Sequence, residues 1–582
     1  MALKLLWLAL GVVRVLWCLA PQTGYIHPDE FFQSPEIMAG DILNLKTFRT
    51  WEFNTSYPCR SVLFPLVTTG FSFTVLKALN NSGIFGNIIN SYTLLVFPRF
   101  FLTCLSFVLD YSVYQLAWVW RVDPWKALTL LGGSHVMLVF YTRTFSNVIE
   151  ADLFALLLLL VAIDTKQANV GPDTGKKDRR KNKHIGIVLA AGFFNRPTFI
   201  AYALVPMFLW HFCDQKGTVQ FSLNHFMTKC VSILISATAT SFLFIMTDAL
   251  YFGSLLSKWD WVLKDGNTIY KHIVDISQHL VLTPVNLIFY NLDKKSLIAH
   301  GSHPWFTHLI LNSFLLFGGL HLSAIVSGIK MMISKFAYKA SSYTSCKKQS
   351  KKKLLAQLSL ASHSDVYLFL VYLIPIIVLS LFSHQEPRYI SPLIVPLVIL
   401  SAPKCNVFQW KVIIVLFNIL GSLLFGCLHQ GGLIPSLSYL EKVLHSKNHG
   451  AKQYEYDLVF YHTYMPPRYL LNFKPNEEFI RVIDLSGSDV QVLNSTVKGL
   501  LDNSYSKHIG KNQEKTIYII APGTVQSDIE NCGFYWKTVK SFFPHLTMED
   551  PPHIPSLLSK NGLSQLSLYI FEVDIQSKNM ET

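Results

Sequence analysis

Apolar segments of about twenty residues recur along most of this 582-residue chain, and no other feature constrains its fold as strongly. Only 15% of the residues are charged, whereas a soluble protein has about 25%. The sequence therefore predicts a polytopic α-helical membrane protein with about ten to twelve membrane segments. The predicted segments are 5–20, 99–120, 126–142, 148–164, 185–212, 229–247, 307–329, 365–382, 390–402 and 411–428.

Three apolar regions allow more than one interpretation. The first, Leu5 to Ala20, could be a cleaved signal peptide, but Arg14 interrupts it and no small-x-small cleavage site follows. We interpret it as a retained first span. Residues 60–97 are broken by proline, glycine and lysine, which also fits a hairpin or interfacial helices. Residues 185–212 are interrupted by Asn195-Arg196-Pro197.

The formal net charge of +14 comes largely from two basic clusters, Lys176–Lys183 and Lys347–Lys353. Nucleic-acid binding would explain such a charge, but basic loops between membrane spans explain it better. Both loops are therefore predicted to be cytosolic, as is the N-terminus. Counting spans from these loops places the polar motifs described below, and the C-terminus, on the opposite side of the membrane.

Two domains are predicted. Residues 1–435 form a transmembrane catalytic domain whose first extracytosolic loop is 22–97. Residues 436–582 are less apolar and contain alternating, strand-like runs at 479–484, 516–520 and 568–573. This tail is predicted to be a small α/β domain on the extracytosolic side.

The first loop carries His27-Pro28-Asp29-Glu30-Phe31-Phe32-Gln33-Ser34-Pro35-Glu36 directly after the first span. Carboxylates beside a bilayer are costly unless they have a task. One carboxylate of Asp29 and Glu30 could take a proton from a sugar hydroxyl while the other holds a hydroxyl or an arginine. His27 and Gln33 are candidate substrate ligands. The alternative is structural, because acidic residues after a proline suit the first turn of a helix.

A second polar motif, His384-Gln385-Glu386-Pro387-Arg388, lies between two apolar segments. Arginine matches a phosphate with two parallel hydrogen bonds, so Arg388, with His384 and Glu386, is predicted to bind a lipid phosphate leaving group. A short polar loop stabilised by an Arg–Glu pair is the alternative.

A third motif, Arg143 to Asn147, precedes Glu150 and Asp152 at the start of an apolar helix. Acidic residues there are expensive unless paired. Arg143 and Asn147 are predicted substrate ligands, and a structural salt bridge from the acidic residues to Arg99 or Arg143 is an equal alternative.

Weaker candidates are Asp248, Asn286 and His303, which are predicted substrate contacts. His303 and His308 suggest a metal, but the sequence places no third ligand, and structural histidines are the better interpretation. No metal cofactor is expected. Sequons at Asn54, Asn80 and Asn494 all fall on the predicted extracytosolic side.

With these motifs assembled, the chain resembles the dolichol-phosphate-mannose-dependent mannosyltransferases of glycosyltransferase family 22, in the GT-C superfamily. The first-loop motif, Arg-Ser-Val-Leu-Phe-Pro at 60–65, Arg-Thr-Phe-Ser-Asn at 143–147 and His-Gln-Glu-Pro-Arg at 384–388 occur in the family's order. The form of the first-loop motif is that of the family's enzymes of GPI-anchor assembly.

The resemblance implies an endoplasmic reticulum protein with a luminal active site. It implies transfer of mannose from dolichyl-phosphate mannose, with inversion and in α-1,2 linkage, to the third mannose of a GPI precursor, without a metal. Addition of the third GPI mannose and N-glycan mannosylation are the alternatives within the family. A lipid or sugar transporter is the alternative of another class, but a transporter predicts paired charges near the midplane and inverted repeats.

Overall fold

The computed structural model describes most of the chain, with gaps that fall mainly between helices. It covers residues 1–20, 22–84, 86–167, 175–212, 223–253, 280–293, 301–344, 365–404, 408–447, 453–477, 479–507, 513–557 and 562–574. The predicted basic cluster at 347–353 lies outside the described residues.

Helices make up most of the described chain. The α-helices are Ala2–Leu19, Asp29–Phe32, Pro35–Leu43, Leu63–Pro65, Phe71–Asn81, Ser91–Leu105, Phe107–Val119, Pro124–Gly132, Ser146–Gln167, Gly175–Asn195, Phe199–Phe212, Leu223–Tyr251, Thr283–Leu292, Ser313–Phe317, Gly319–Thr344, Asp365–Leu379, Ile394–Ser401, Phe408–Leu423, Leu433–Lys447, Val490–Lys507, Gln526–Glu530 and Ile554–Leu557. Short π-helical segments lie at Leu66–Gly70, Val136–Phe140, His308–Asn312 and Leu424–Leu428. Short 3₁₀-helices lie at Trp51–Phe53, Pro387–Leu393, Arg468–Leu471, Gly523–Val525 and Gly562–Leu566.

Five of the described helices are long and apolar enough to cross a membrane. They are Ala2–Leu19, Ser91–Val119, Ser146–Asp164, Phe226–Tyr251 and Lys411–Leu428. Shorter apolar helices of 10–17 residues lie at Phe199–His211, His308–Phe317, Gly319–Ile333, Asp365–Leu379 and Pro387–Ser401. These helices overlap the predicted segments other than 126–142 and confirm a multi-pass membrane protein. The predicted segment 126–142 is not a continuous helix, because the helix Pro124–Gly132 ends at Gly133 and a separate helical turn follows at Val136–Phe140.

Two further predicted segments differ from the structure. The segment predicted to begin at residue 99 begins at Ser91, with Pro98 inside the helix, because membrane helices tolerate an internal proline. The segment predicted at 307–329 is two helices that separate at Gly318, where φ is +48°. A side chain at Gly318 would meet the Phe417 ring at 2.9 Å, so only glycine suits this break. The predicted interruption of 185–212 is confirmed, since one helix ends at Asn195 and the next begins at Phe199.

The tail contains a five-stranded sheet flanked by helices, as the predicted α/β domain requires. The strands are β1 (Gln453–Phe460), β2 (Ile480–Asp484), β3 (Gln513–Pro522), β4 (Trp536–Phe542) and β5 (Leu568–Val573), in the order β2-β1-β3-β5-β4. Strand β1 runs parallel to β2 and β3, whereas β5 runs antiparallel to β3 and β4. The three predicted strands are confirmed, and β1 and β4 were missed.

The described residues form two compact units. Unit 1 consists of Met1–Leu16, Thr50–Pro65 and Leu102–Ile419. Unit 2 consists of Trp17–Arg49, Leu66–Phe101 and Leu420–Thr582, so the first-loop motif belongs to the same unit as the sheet. Each unit combines separate stretches of sequence, whereas the prediction divides the chain once, at residue 435. The predicted domain boundary stays a prediction.

A buried ion pair explains the arginine inside the first span. The Arg14 guanidinium donates to both carboxylate oxygens of Asp110, at 2.7 and 3.1 Å, and to the Ser106 hydroxyl at 3.2 Å. The Trp7 indole N–H donates to the same carboxylate at 2.8 Å. Because Arg14 is 0% and Asp110 3% exposed, the pair is a buried contact between apolar helices that are distant in sequence.

Replacing Arg14 by methionine is expected to destabilise the protein by about 3–5 kcal/mol, because Asp110 would remain buried without its counter-charge. A lower melting temperature of the purified variant in detergent would show this. Lys4→Met, on an exposed position of the same helix, is the control. Combining Arg14→Met with Asp110→Leu should recover much of the loss. Unchanged melting of Arg14→Met alone would contradict the structural role.

Candidate active site

The first-loop carboxylates belong to unit 2 and begin a short helix, Asp29–Phe32, that follows Pro28. Both Asp29 and Glu30 lie in its first turn, as the structural alternative expected. Their surroundings differ sharply. Glu30 is fully buried, and its Oε1 accepts from Arg99 Nε at 2.8 Å and lies 2.6 Å from Arg99 Nη2. Arg99 also donates to the carbonyl of Gln22 at 3.0 Å. Glu30 is therefore part of a buried ion pair.

Asp29 keeps a quarter of its side chain exposed and is held by its two predicted neighbours. Gln33 Nε2 donates to Asp29 Oδ2. His27 Nδ1 lies 3.4 Å from Asp29 Oδ1 and accepts from the Asp29 backbone N–H at 3.1 Å. The structure thus brings His27, Asp29 and Gln33 together and leaves Asp29 partly exposed, whereas Glu30 is buried.

Glu36, the last residue of the same motif, is fully buried. Its Oε1 accepts from the backbone N–H groups of Phe48 at 2.9 Å and Arg468 at 3.2 Å, and its Oε2 from that of Tyr469 at 3.3 Å. Burial raises the pKa of Glu36 to about 8, and the three N–H groups oppose that shift. Glu36 therefore fixes the first loop to the segment at 468–469 within unit 2.

The second predicted motif lies in unit 1 and forms a connected polar group. Glu386 accepts through Oε2 from Arg388 Nε, and its Oε1 lies 2.7 Å from His384 Nε2. The Tyr389 hydroxyl donates to the same Oε1 at 2.8 Å. Arg388 is 4% exposed, whereas His384 keeps about a quarter of its side chain exposed. The Arg–Glu pair of the structural alternative is present, and it would also orient Arg388 toward a phosphate.

The third motif forms a second network around the buried carboxylate of Glu150. The Thr198 hydroxyl donates to its Oε1 at 2.6 Å and Asn147 Nδ2 to its Oε2 at 3.2 Å. Arg196 Nε lies 3.6 Å from the same Oε2, and Arg196 Nη1 donates to Ser146 Oγ at 3.0 Å. The predicted salt bridge of Glu150 to Arg99 is wrong, since Arg99 pairs with Glu30 inside unit 2. Arg143 is fully buried.

Tyr389 connects the two networks of unit 1, and sequence reasoning missed both this role and Arg196. The Arg196 guanidinium lies 5.0 Å and the Arg388 guanidinium 5.4 Å from the centre of the Tyr389 ring. Both distances suit cation–π contacts. The sequence does indicate Arg196, because it is an arginine at a helix break within an apolar region. From the sequence alone, we interpret it only as an interruption of that region.

The weaker candidates make contacts of a structural kind within unit 1. Asp248 accepts from Ser61 Oγ and the Val62 N–H through Oδ1, and from Thr283 Oγ1 through Oδ2, each at 2.9 Å. Asn286 Nδ2 donates to the Pro58 carbonyl at 2.8 Å. Their substrate roles stay predictions, although the hydrogen-bonding capacity of Asp248 is already largely used.

His303 lies beside the second motif. It accepts through Nδ1 from the Gln385 backbone N–H at 3.3 Å, and its ring centre is 5.8 Å from that of His384. Within the described ranges, histidine, cysteine and acidic side chains form no group of three that could hold a metal.

The three sequons differ in exposure. Asn54 is exposed at a turn, whereas Asn80 is half-buried and accepts from the Ile88 backbone N–H at 3.0 Å. Asn494 lies inside the helix Val490–Lys507 with its Oδ1 buried. Of the three, Asn54 offers the most accessible amide for a glycan.

Comparison with known proteins gives the same family from independent information. The model of the Alg9-like mannosyltransferase family matches residues 5–471. Human GPI alpha-1,2-mannosyltransferase 4 is 43% identical over 573 residues, covering 98% of this chain and 94% of the human protein. GPI mannosyltransferase 4 of Drosophila melanogaster is 27% identical, covering 94% of this chain and 86% of that protein. Among solved structures, ArnT from Cupriavidus metallidurans bound to undecaprenyl phosphate aligns with a TM-score of 0.47 at 11% identity, over 91% of this chain and 95% of ArnT.

Proposed function

This chain belongs to the Alg9-like mannosyltransferase family, and from that premise we propose that it transfers mannose from dolichyl-phosphate mannose to a GPI precursor. The linkage would be α-1,2 and the acceptor the third mannose, so that the product carries a fourth. The observation that carries this assignment is the 43% identity to the human GPI enzyme over 98% of the chain. The predicted GT-C fold class is confirmed by the family match and the membrane-spanning helices.

Asp29 is the proposed general base. The acceptor hydroxyl oxygen attacks the anomeric carbon of the donor mannose, its proton passes to the Asp29 carboxylate, and the bond from the anomeric carbon to the phosphate oxygen breaks. A single displacement of this kind inverts the anomeric configuration. The exposure of Asp29 and its contacts to His27 and Gln33 support this role. Glu30 is instead buried in an ion pair with Arg99, which supports a structural role for it.

Arg388 is the proposed ligand of the departing dolichyl phosphate. Negative charge grows on that phosphate as the bond breaks, and preorganised donors stabilise it best in a site of low dielectric constant. Glu386 orients the Arg388 guanidinium, and His384 offers a further donor. We propose no metal for this step, because Arg388 supplies positive charge and both Arg388 and His384 supply hydrogen bonds.

The proposal is tested by incubating microsomes that contain this protein with dolichyl-phosphate mannose and a trimannosyl GPI acceptor. The expected product gains one mannose that an α-1,2-specific mannosidase removes. Parallel reactions with a dimannosyl GPI and with a lipid-linked N-glycan precursor should give no product. Transfer only to one of these two acceptors would reassign the substrate, and movement of lipid across the membrane without a glycosylated product would indicate a transporter.

We further propose that the protein lies in the endoplasmic reticulum with its active site in the lumen. Asn54 is then expected to carry a glycan, because its side chain is exposed and its sequon would lie on the luminal side under this proposal. An endoglycosidase-sensitive shift that disappears in Asn54→Gln would show this. Tags at Arg180 and Lys351 should be accessible from the cytosol, and protection of either tag from added protease would contradict the topology.

A further inference from the structure

Unit 2 contains a cavity of about 320 Å³ outside the first-loop carboxylates. Its walls come from Lys46, from the segment that follows Arg468, and from successive residues of the edge strand β2. Most of the wall is apolar, with Phe473, Ile480 and Val482 among its members. A cavity of this volume is at the small end of the range for ligand sites, large enough for a headgroup but not for a whole lipid.

Among the described residues that line the cavity, the charged side chains are all basic: Lys46, Arg468 and Arg481. Arg481 already has a carboxylate partner, because it donates to Asp457 Oδ1 at 2.7 Å and to Asp457 Oδ2 at 3.0 Å. The Lys46 ammonium donates to the backbone carbonyls of Ile480 at 2.9 Å and Glu477 at 3.3 Å. The described wall of the cavity therefore combines apolar side chains with basic ones.

Arg468 is the residue best placed to use that charge. One face of its guanidinium lies over the Phe48 ring, 4.9 Å from the ring centre, and its backbone N–H is held by Glu36. Glu36 and Asp484 interact with Arg468 electrostatically, but no hydrogen-bond acceptor among the described residues meets its guanidinium. The side chain is half-buried. A stacked guanidinium with its N–H donors available is preorganised for a planar, two-point contact with a phosphate.

We propose that this cavity binds the phosphodiester of a phosphatidylinositol-type lipid, with Arg468 as its principal ligand. The proposal rests on the proposed function, since a GPI precursor is built on phosphatidylinositol, and it assigns the acceptor's anionic group to unit 2. The mostly apolar walls favour a lipid phosphodiester with its glycerol or inositol neighbours over a free phosphate ion, which would leave those walls in water.

Binding is measured on the full-length protein in phosphatidylcholine nanodiscs with and without phosphatidylinositol, by native mass spectrometry. Phosphatidylinositol is expected to bind the unaltered protein, and Arg468→Gln should weaken that binding about tenfold or more. Arg468→Lys keeps the positive charge but loses the two-point guanidinium contact, so its affinity for phosphatidylinositol should lie between those of the unaltered protein and Arg468→Gln. Lys537→Gln, which removes an exposed lysine on β4 of the same sheet, is the matched control and should bind normally.

Unchanged phosphatidylinositol binding in Arg468→Gln would overturn the proposal. So would equal competition by inorganic phosphate, which would indicate a free-anion site, or preferential binding of dolichyl phosphate, which would indicate the donor. Because binding is measured without catalysis, a failure of mannose transfer would leave this result intact. Where transfer is observed, Arg468→Gln should raise KM for the glycolipid acceptor about tenfold, and Lys537→Gln should not.

Discussion

Mannose transfer is expected to fall by about 10²-fold or more when Asp29 is replaced by asparagine, because the amide keeps the size of the side chain but cannot take the acceptor's proton. The abundance and melting temperature of the variant should stay near those of the unaltered protein, since Asp29 is partly exposed and makes its contacts at the surface of a short helix. The measurement is initial rate with dolichyl-phosphate mannose on purified protein.

Two neighbouring carboxylates serve as comparisons. Asp41→Asn removes an acidic side chain of the adjacent helix that pairs with Arg49, and it should leave the rate unchanged. Glu30→Gln should act differently from both, by lowering protein stability, because Arg99 would remain buried with a neutral partner. A normal rate in Asp29→Asn would remove this residue from the chemistry, whatever the behaviour of Glu30→Gln.

Replacing Arg388 by lysine is expected to raise the barrier for transfer by about 2–3 kcal/mol, the effect of losing one donor to a developing charge. Lysine keeps the positive charge but offers a point charge in place of a planar fork. The loss should appear when dolichyl-phosphate mannose is varied and should depend little on the concentration of the acceptor.

A purely structural Glu386–Arg388 pair predicts a different outcome. Glu386→Gln and Arg388→Lys would then lower protein abundance together, and the folded fraction of each would have normal donor kinetics. Arg49→Lys is the control for an arginine-to-lysine substitution, because Arg49 is exposed and also pairs with a carboxylate, that of Asp41. Its donor kinetics should be normal. Normal donor kinetics in folded Arg388→Lys would exclude a phosphate-binding role.

The fold could be predicted where its signal is local. Apolar length revealed the membrane segments, and alternation revealed β2, β3 and β5. Strand β1 was missed although Gln453 to Leu458 alternate between polar and apolar residues. Asp457 falls at a polar position of that alternation, and its burial beside Arg481 and Lys515 depends on contacts that the sequence does not show. Strand β4 was missed because it is an edge strand with mostly exposed positions.

The sequence indicates which residues are candidates for the site, but not which role each of them has. Both Asp29 and Glu30 were evident from the sequence, yet the choice between them depends on Arg99, which is 69 residues from Glu30. Likewise, Glu150 revealed that a cation must lie near it, but Arg196 is brought there only by the turn between two apolar helices. Such long-range pairings leave no periodic trace in a single sequence.

The hydrogen bonds of Glu36 also determine when, during synthesis of the chain, the first loop can be fixed in place. Its two acceptor contacts at Arg468 and Tyr469 span 432 and 433 residues, so they form only after nearly all of the membrane part has been made. At translation rates of about 5–20 residues per second, the ribosome needs roughly 20 to 90 s to cover that interval. During that time the loop that carries Asp29 lacks two of the three backbone N–H donors that later bind Glu36. A chain that ends before residue 468 never acquires these two donors.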